Sequence, residues 1–320
     1  MNSHPHPRRP ADASPVTLRD TSLRDGLQSI ARTVPTDIKR QWLRGLHAAG
    51  VRAVEVGSFV PPQRMPQLAD TAEMVAFART LPGLDVAVLV PNLRGAERAL
   101  ESGADAMILP LSASRAHSLA NLRKAPEDVV RELAAIRAAR DAAGVERPCI
   151  IEAGISTAFG CTLQGRVDPQ DVLALVRDVL DAGADRVSLA DTVGYADPAA
   201  VASLFAKARD VAGDRLTGAH FHDTRGLGAA NAYAAWSVGV RVFDGCVGGI
   251  GGCPQAPGAS GNVSTEDLAY LFASMGVPTG LDFDALIELR GRIGQWLAGE
   301  PLHGAIWRAG LPKTLQQVAA

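Results

Sequence analysis

From Val16 onward the chain repeats one hydrophobic pattern: a short apolar run, a polar loop, and an amphipathic stretch that ends at a glycine. The apolar runs predict β-strands, and their near-continuous hydrophobicity is typical of strands that are covered on both faces. The eight predicted strands are Val16–Leu18, Ala53–Phe59, Val86–Val90, Ala106–Leu111, Cys149–Ile155, Arg186–Leu189, Leu216–His222 and Val242–Val247.

The stretches between these runs predict helices. Pro126–Ala143 and Pro169–Ala182 each begin with proline and soon carry an acidic residue, which is the usual composition of a first helical turn. A further stretch, Phe283–Leu297, predicts a helix near the C-terminus. Several helices stop at a glycine placed as a left-handed cap: Gly50, Gly103, Gly144, Gly183, Gly213, Gly239 and Gly276.

Strands that alternate with helices in this way predict an α/β protein, a (β/α)8 TIM barrel over residues 16–280 with a C-terminal helical cap over residues 281–320. A Rossmann fold would need Gly-x-Gly-x-x-Gly after the first strand, where this chain has Arg24-Asp25-Gly26-Leu27-Gln28. Residues 1–15 lack a hydrophobic segment and are rich in Pro, His and Arg, so we expect a disordered tail and no signal peptide.

The composition is that of a globular protein with a sizeable core, since 47% of the 320 residues are hydrophobic and 21% are charged. A net charge of −2 argues against nucleic acid as a partner, and no apolar run approaches the roughly 20 residues of a membrane span. Four cysteines are too few for a disulfide framework in a chain of this length. We therefore expect a cytoplasmic enzyme.

In a barrel the chemistry lies at the C-terminal ends of the strands. Arg24 and Asp25 follow the first strand, where they form either a loop salt bridge or part of an active site, and Gly26 permits a sharp turn there. His220 and His222 stand about 7 Å apart on one face of the seventh strand, with Gly218 leaving space below them. A single histidine would usually be a core residue, but two on one strand face favour metal ligation.

Three further features carry both a structural and a functional interpretation. Glu55 lies inside an apolar run, where a carboxylate either faces outward or needs a cation. Asp191 and Thr192 end the sixth strand, where acidic residues often cap the next helix. The glycine-dense loop 248–262 is either a linker or a segment that closes over a ligand, and it carries Cys253 as a potential thiol acid or nucleophile.

Together these motifs resemble the 3-hydroxy-3-methylglutaryl-CoA lyase family, within the TIM-barrel metallolyase group that also holds isopropylmalate and homocitrate synthases. The resemblance runs in order from about Val16 to Gly280. The segment Gly251-Gly252-Cys253-Pro254 followed by Gly258-Ala259-Ser260-Gly261-Asn262 looks like the lyase signature loop and is the most specific part. The other matching segments are residues 24–28, 58–61, 66–67, 91–93, 188–194 and 220–224.

The resemblance implies a divalent cation, Mg²⁺ or Mn²⁺, held by Asp25, His220, His222 and Asn262. It also implies that Arg24 stabilises charge on the thioester oxygen and that Cys253 protonates the enolate.

By the same resemblance Glu55 would orient the cluster, while Ser188, Asp191 and Thr192 would lie near the substrate. The implied reaction is a retro-Claisen cleavage of an acyl-CoA to acetyl-CoA and a keto acid, with Asp25 or a histidine as base, as in leucine degradation. The implied assembly is a homodimer.

The chain departs from the family pattern at two loops. Members that act on 3-hydroxy-3-methylglutaryl-CoA commonly carry Ser-Glu-x-Phe-x-x-Lys-Asn after strand 4, where residues 114–121 lack the Glu, Phe and Lys. In the loop after strand 5, Cys161 is followed by Thr162-Leu163-Gln164, where Pro-Tyr-Glu is usual. Citramalyl-CoA or a longer branched acyl-CoA is therefore an alternative substrate.

Two other classes of function are less favoured. A condensing synthase usually carries Arg-Asp-Gly-Glu-Gln after strand 1, and this chain has Leu27 at the glutamate position. A non-catalytic barrel that only binds a metal or a partner would not need the complete polar set.

Overall fold

The computed structural model describes residues 15–144, 149–252 and 261–316. The predicted N-terminal tail therefore falls outside the described residues, apart from Pro15.

Eight parallel strands close into one barrel in chain order, with β8 paired back onto β1. This confirms the (β/α)8 fold, and each of the eight apolar runs corresponds to one strand. The strands are β1 (Thr17–Asp20), β2 (Ala53–Ser58), β3 (Asp85–Leu89), β4 (Ala106–Ser112), β5 (Ile150–Ser156), β6 (Arg186–Asp191), β7 (Leu216–Phe221) and β8 (Val242–Gly245).

Helices cover the outside of the barrel, and none among the described residues is long and apolar enough to cross a membrane. They are α1 (Thr36–Ala48), α2 (Thr71–Ala78), α3 (Leu93–Ser102), α4 (Arg115–Leu122), α5 (Pro126–Ala142), α6 (Pro169–Asp181), α7 (Pro198–Ala212), α8 (Gly228–Ser237), α9 (Thr265–Ser274), α10 (Phe283–Trp296), α11 (Ile306–Ala309) and α12 (Lys313–Gln316).

The seven glycines expected to end helices all have positive φ, from 57° at Gly213 to 106° at Gly183.

Side chains alternate between the two faces of each strand. On β5, Ile151, Ala153 and Ile155 are fully buried in the layer between sheet and helices. Glu152 lies on the opposite face and bonds to Arg19 of β1 across the barrel axis. The hydrophobic core therefore surrounds the barrel, and the inside of the barrel is free to carry polar groups.

The C-terminal helices pack against the helix that follows β1. The rings of Trp42 on α1 and Trp296 on α10 lie 6.1 Å apart. Gly45 allows this approach, because a Cβ at that position would lie 2.6 Å from Leu289 Cδ1. Beyond α10 the chain returns to the barrel mouth, where the His303 amide donates to the Gly248 carbonyl at 2.7 Å. This extension thus supports the loop that follows β8.

Candidate active site

A single π-helical turn, Ser22–Gly26, places the two functional residues that follow β1. The Thr21 carbonyl accepts the amides of Arg24 and Asp25, which turns both buried side chains toward the barrel mouth. Gly26 does not have positive φ. Its missing side chain instead makes room for Ile250, whose Cδ1 would lie 2.6 Å from a Cβ there. The expected sharp turn is present, but close packing and not a positive φ explains the glycine.

Asp25, His220 and His222 converge on one point at the mouth of the barrel. The two imidazole Nε2 atoms are 3.1 Å apart. Asp25 Oδ2 lies 3.9 Å from Nε2 of His220 and 3.8 Å from Nε2 of His222. The Asn262 amide donates to the same carboxylate oxygen at 2.6 Å. The structure thus brings together the four residues that the sequence suggested as metal ligands.

The donor set fits a divalent cation. His220 Nδ1 lies 3.1 Å from Asp244 Oδ2, and this hydrogen bond leaves the lone pair on Nε2 facing the cluster. Asn262 Oδ1 is buried and has no hydrogen-bond partner among the described residues, so the cluster contains an oxygen that still needs a cationic or donor neighbour. Carboxylate, amide and imidazole donors together are compatible with Mg²⁺ or Mn²⁺.

The charges around the cluster favour an ionised carboxylate beside a neutral imidazole. Burial by itself raises the pKa of Asp25, but the Arg24 guanidinium and the two imidazoles outweigh burial, so the pKa lies below its ordinary value. Burial and the nearby His220 lower the pKa of His222 to about 4, which leaves its ring neutral at pH 7. Both states are the ones that bind a metal ion.

Arg24 is held between two carboxylates. Its guanidinium bonds to Asp25 and pairs with Glu55, whose Oε2 lies 2.7 Å from Nη2. Glu55 is completely buried, so its charge depends on this arginine. The sequence suggested that Glu55 orients the metal cluster. In the structure its contact is with Arg24, so any effect on the cluster passes through the guanidinium.

The three residues predicted near the substrate already have partners in the fold. The Asp191 carboxylate accepts the amides of Tyr195 at 2.8 Å and Ala196 at 2.9 Å. Thr192 Oγ1 accepts the Thr157 amide at 2.9 Å. Strand alternation turns Asp191 to the outer face of β6 together with Leu189, where its carboxylate fixes the loop that follows the strand. The alternative that Asp191 caps the next helix is wrong, because Asp197 is the N-cap of α7.

Ser188, by contrast, faces the barrel axis and donates to Glu152 Oε1 at 2.7 Å. The substrate contacts of Ser188, Asp191 and Thr192 stay predictions.

Sequence reasoning missed a buried ion network under the cluster. Arg19 donates through both Nη atoms to Glu152 at 2.9 Å and through Nε to Asp244 at 2.7 Å. Asp244 in turn accepts from His220, so the network supports one of the imidazoles in the cluster. Each member is a charged residue within an apolar strand, the same signal that singled out Glu55. The sequence could therefore have identified Arg19 and Asp244 as buried charges. It could not have shown that they pair with each other.

Cys253, the predicted proton donor, lies outside the described residues. The described turn just before it is fixed by the fold: the Gly248 amide donates to both carboxylate oxygens of Glu266. Ile250 O accepts the side-chain amide of Asn262 at 3.0 Å. A second thiol, Cys161, is fully buried in the loop after β5.

The whole barrel matches a known family. Residues 15–293 match the HMGL-like family. The (R)-citramalyl-CoA lyase of Chloroflexus aurantiacus is 38% identical over 309 residues, which cover 92% of this chain and 95% of that protein. The 3-hydroxy-3-isohexenylglutaryl-CoA/hydroxy-methylglutaryl-CoA lyase of Pseudomonas aeruginosa is 40% identical over 280 residues, covering 87% and 91% of the two chains.

The fold is also that of a solved lyase. The structure of an HMG-CoA lyase from Acinetobacter baumannii in complex with coenzyme A and 3-methylmalate superposes with a TM-score of 0.86 at 36% identity, over 94% of this chain and 97% of that one. The strand order, the converging ligands and these similarities agree. The chain therefore belongs to the HMGL-like family, the family of the hydroxymethylglutaryl-CoA lyases, which are carbon–carbon lyases.

Proposed function

We propose that the chain is a divalent-metal-dependent lyase that cleaves a 3-hydroxy-3-methylglutaryl-CoA-like substrate to acetyl-CoA and a keto acid such as acetoacetate. The observation that carries this proposal is the convergence of Asp25, His220 and His222 beside the Arg24 guanidinium at the mouth of the barrel. The structure of the Acinetobacter relative contains bound coenzyme A, which supports an acyl-CoA substrate here.

Asp25, His220, His222 and Asn262 would hold the cation, with Mg²⁺ or Mn²⁺ as the expected ion. When bound, the cation would supply Lewis-acid polarisation of the substrate oxygens and lower the pKa of the tertiary hydroxyl. The ionised Asp25 and the neutral His222 are both able to accept the hydroxyl proton. The general base is therefore one of these groups of the cluster.

Cleavage follows once the hydroxyl proton has left. The alkoxide electron pair forms the new C=O bond, the adjacent C–C bond breaks, and its electron pair becomes the enolate of acetyl-CoA. Arg24 is the cation that stabilises the developing charge on the thioester oxygen. Its pKa is raised: burial lowers it, but the charges of Glu55 and Asp25 more than compensate, so the guanidinium stays charged throughout.

Protonation of the enolate carbon completes the reaction, and we propose the Cys253 thiol as the acid, on the strength of the signature loop. Cys253→Ser is expected to lower kcat by roughly 100-fold with little change in KM, because the acid acts on charge that is absent in the ground state. Alkylation followed by peptide mapping should label Cys253 in the free enzyme and spare the buried Cys161. Near-normal kcat in the variant would assign the acid to another group.

Citramalyl-CoA is the second candidate substrate. It is favoured by the Chloroflexus relative, which is named for this substrate, and by the unusual loops after β4 and β5. The same bond cleavage applied to citramalyl-CoA yields acetyl-CoA and pyruvate. The two candidates therefore differ in the keto acid released.

A panel of 3-hydroxyacyl-CoAs tests the proposal directly. The Mg²⁺-loaded protein is incubated with each compound, and acetyl-CoA and the keto acid are identified by mass spectrometry. Acetoacetate supports the first candidate and pyruvate the second. Treatment with EDTA should abolish cleavage, and added Mg²⁺ or Mn²⁺ should restore it. Absence of acetyl-CoA release from every compound would overturn the proposal.

We also propose a cytoplasmic setting and a homodimer. The three described cysteines, Cys149, Cys161 and Cys246, are buried free thiols, which supports a reducing compartment. Light scattering coupled to size exclusion would give the mass in solution, and a monomer mass would contradict the dimer.

A further inference from the structure

The inner wall of the barrel beside the metal cluster is built from small residues. Pro110 of β4, Gly154 of β5 and Ala190 of β6 are partly exposed. Their neighbours on the outer faces, such as Leu109 and Leu189, are completely buried. The inner faces of these three strands therefore border open space at the mouth of the barrel. We call the space bordered by Pro110, Gly154 and Ala190 the recess.

The recess lies within reach of a substrate held at the cluster. Ala190 is paired in register with His220, one of the cluster imidazoles. Gly154 is paired with Ser188 on the same strand as Ala190. Gly154 is thus two strand spacings from β7, or about 10 Å. A chain of a few carbon atoms on the carbinol carbon of the substrate spans that distance.

Gly154 is a glycine for reasons of space and not of backbone geometry. It does not have positive φ, so its backbone accepts any residue. A Cβ there would lie 3.3 Å from Ile108 Cγ2 and 3.8 Å from Ser188 Oγ. A methyl group would thus fit after a small shift of Ile108, and a larger side chain would extend into the recess.

Polar groups limit the recess below and above. Below it, the Ser188 hydroxyl is bound to Glu152. Above it, Ser156 Oγ lies 2.8 Å from Ser112 Oγ, which lies 2.7 Å from His117 Nδ1. Because these hydroxyls already bond to one another, the wall between them is the part that favours an apolar occupant.

We propose that Gly154 determines acyl specificity: the recess receives an apolar branch larger than methyl on the carbinol carbon of the substrate. This inference rests on the proposed lyase function and names the substrate class of that site. An apolar pocket distinguishes neighbouring homologues by roughly 10-fold or more in kcat/KM for each methylene. The wild-type enzyme should accordingly prefer a longer branch over the methyl group.

The test compares two substrates and three proteins. The substrates are 3-hydroxy-3-methylglutaryl-CoA and the homologue with a butyl group in place of methyl. The proteins are the wild type, Gly154→Val and the control Gly291→Val, which alters an exposed glycine of α10 with no neighbour within 4 Å of an added Cβ. Acetyl-CoA release gives kcat and KM for each pair.

We expect the wild type and Gly291→Val to favour the butyl substrate by about 10-fold or more in kcat/KM. Gly154→Val should lose most of that preference, because KM should rise more for the butyl substrate than for the methyl substrate. Mn²⁺ affinity should be equal in all three proteins. If Gly154→Val does not fold, Gly154→Ala provides the same comparison with a smaller loss.

The alternative outcomes are distinct. If the wild type cleaves the methyl substrate and rejects the butyl one, the inference is wrong and the proposed function stands. Equal losses for both substrates in the folded Gly154 variant would also overturn the inference. If no protein cleaves either substrate or any other compound of the panel, the proposed function itself fails, and this inference with it.

Discussion

The two sides of the barrel mouth differ sharply in their chemistry. The side built on β7, β8, β1 and β2 carries the buried charges, from the ion pair of Arg24 and Glu55 to the cluster of Asp25 and His220. The side built on β4, β5 and β6 has one buried charge, Glu152 below the mouth, and at the mouth it carries small residues such as Gly154 and a chain of hydroxyl groups. Under the proposed function, the first side would hold the groups that break the bond, and the second would border the acyl group that is cleaved.

The charged side is also the less tolerant of change. Each buried ion there is compensated by a partner on another strand, as Arg19 is by Glu152 and Asp244. Removal of one partner leaves an uncompensated buried charge, which destabilises a protein by about 3–5 kcal/mol. At the mouth, the other side has hydrogen bonds between neutral groups, such as Ser112 and Ser156, and the loss of each costs about 1 kcal/mol. The two loops at which the chain departs from the family pattern follow β4 and β5, on the second side.

The largest effect is expected for Asp25→Ala. The substitution removes a proposed metal ligand and leaves Arg24 with one fewer carboxylate. Mn²⁺ affinity, measured by electron paramagnetic resonance, and cleavage of every substrate should fall together. The fall should exceed the roughly 100-fold that follows mutation of a residue supporting a metal ligand. Asp37→Ala on the exposed face of α1 is the control. Full metal occupancy with normal turnover would show that the cluster is not the metal site.

Asp244→Asn should have the next largest effect, since it changes a supporting residue and keeps the shape. Asp244 accepts from His220 Nδ1 and faces Arg19, so the amide weakens both contacts. We expect Mn²⁺ affinity to fall by about 10–100-fold. Activity should fall by the same factor for every substrate, so that substrate preference is unchanged. Asp171→Asn on the surface of α6 should change nothing. A change in substrate preference would contradict the division between the two sides.

Glu266→Gln examines the loop that carries the signature motif. Burial raises the pKa of Glu266 from 4.5 to about 7, although the Gly248 amide and Arg290 favour the charged form. The folded protein thus binds this proton more tightly than the unfolded chain does, and the free energy of unfolding falls as pH rises from about 4.5 to 7.

The variant lacks that titration, so its free energy of unfolding should decline less over the same pH range, by an amount on the order of a few kcal/mol. Urea unfolding of both proteins between pH 4.5 and 8 measures the difference. Parallel pH profiles for the two proteins would show that Glu266 does not titrate in this range.

His117→Phe should have the smallest effect and lies on the other side of the mouth. His117 is 3% exposed and burial lowers its pKa, so it is neutral at pH 7. Phe removes one hydrogen bond, and Ser112 keeps Ser156 as a partner. We expect unchanged Mn²⁺ affinity, a stability change of about 1 kcal/mol, and a shift in the ratio of kcat/KM between substrates. Loss of bound Mn²⁺ in this variant would contradict the division between the two sides of the barrel mouth.

The sequence alone determined the architecture and the centre of the site. Apolar runs of strand length, separated by helical periodicity, are local signals, and all eight correspond to strands of the closed barrel. The glycines at helix ends were equally local, because a left-handed cap is a property of one residue, as at Gly50 with φ of 89°. Strand alternation likewise placed His220 and His222 on one face.

Only the tertiary structure decided which charges meet. Arg19 and Asp244 are 225 positions apart and become neighbours because β8 closes onto β1. The pairing of β1 with β2 likewise decided that Glu55 meets Arg24. The physical reason is that periodicity specifies which face of an element is buried. The partner on the facing strand is fixed only when the barrel closes and each buried charge must find its counter-ion.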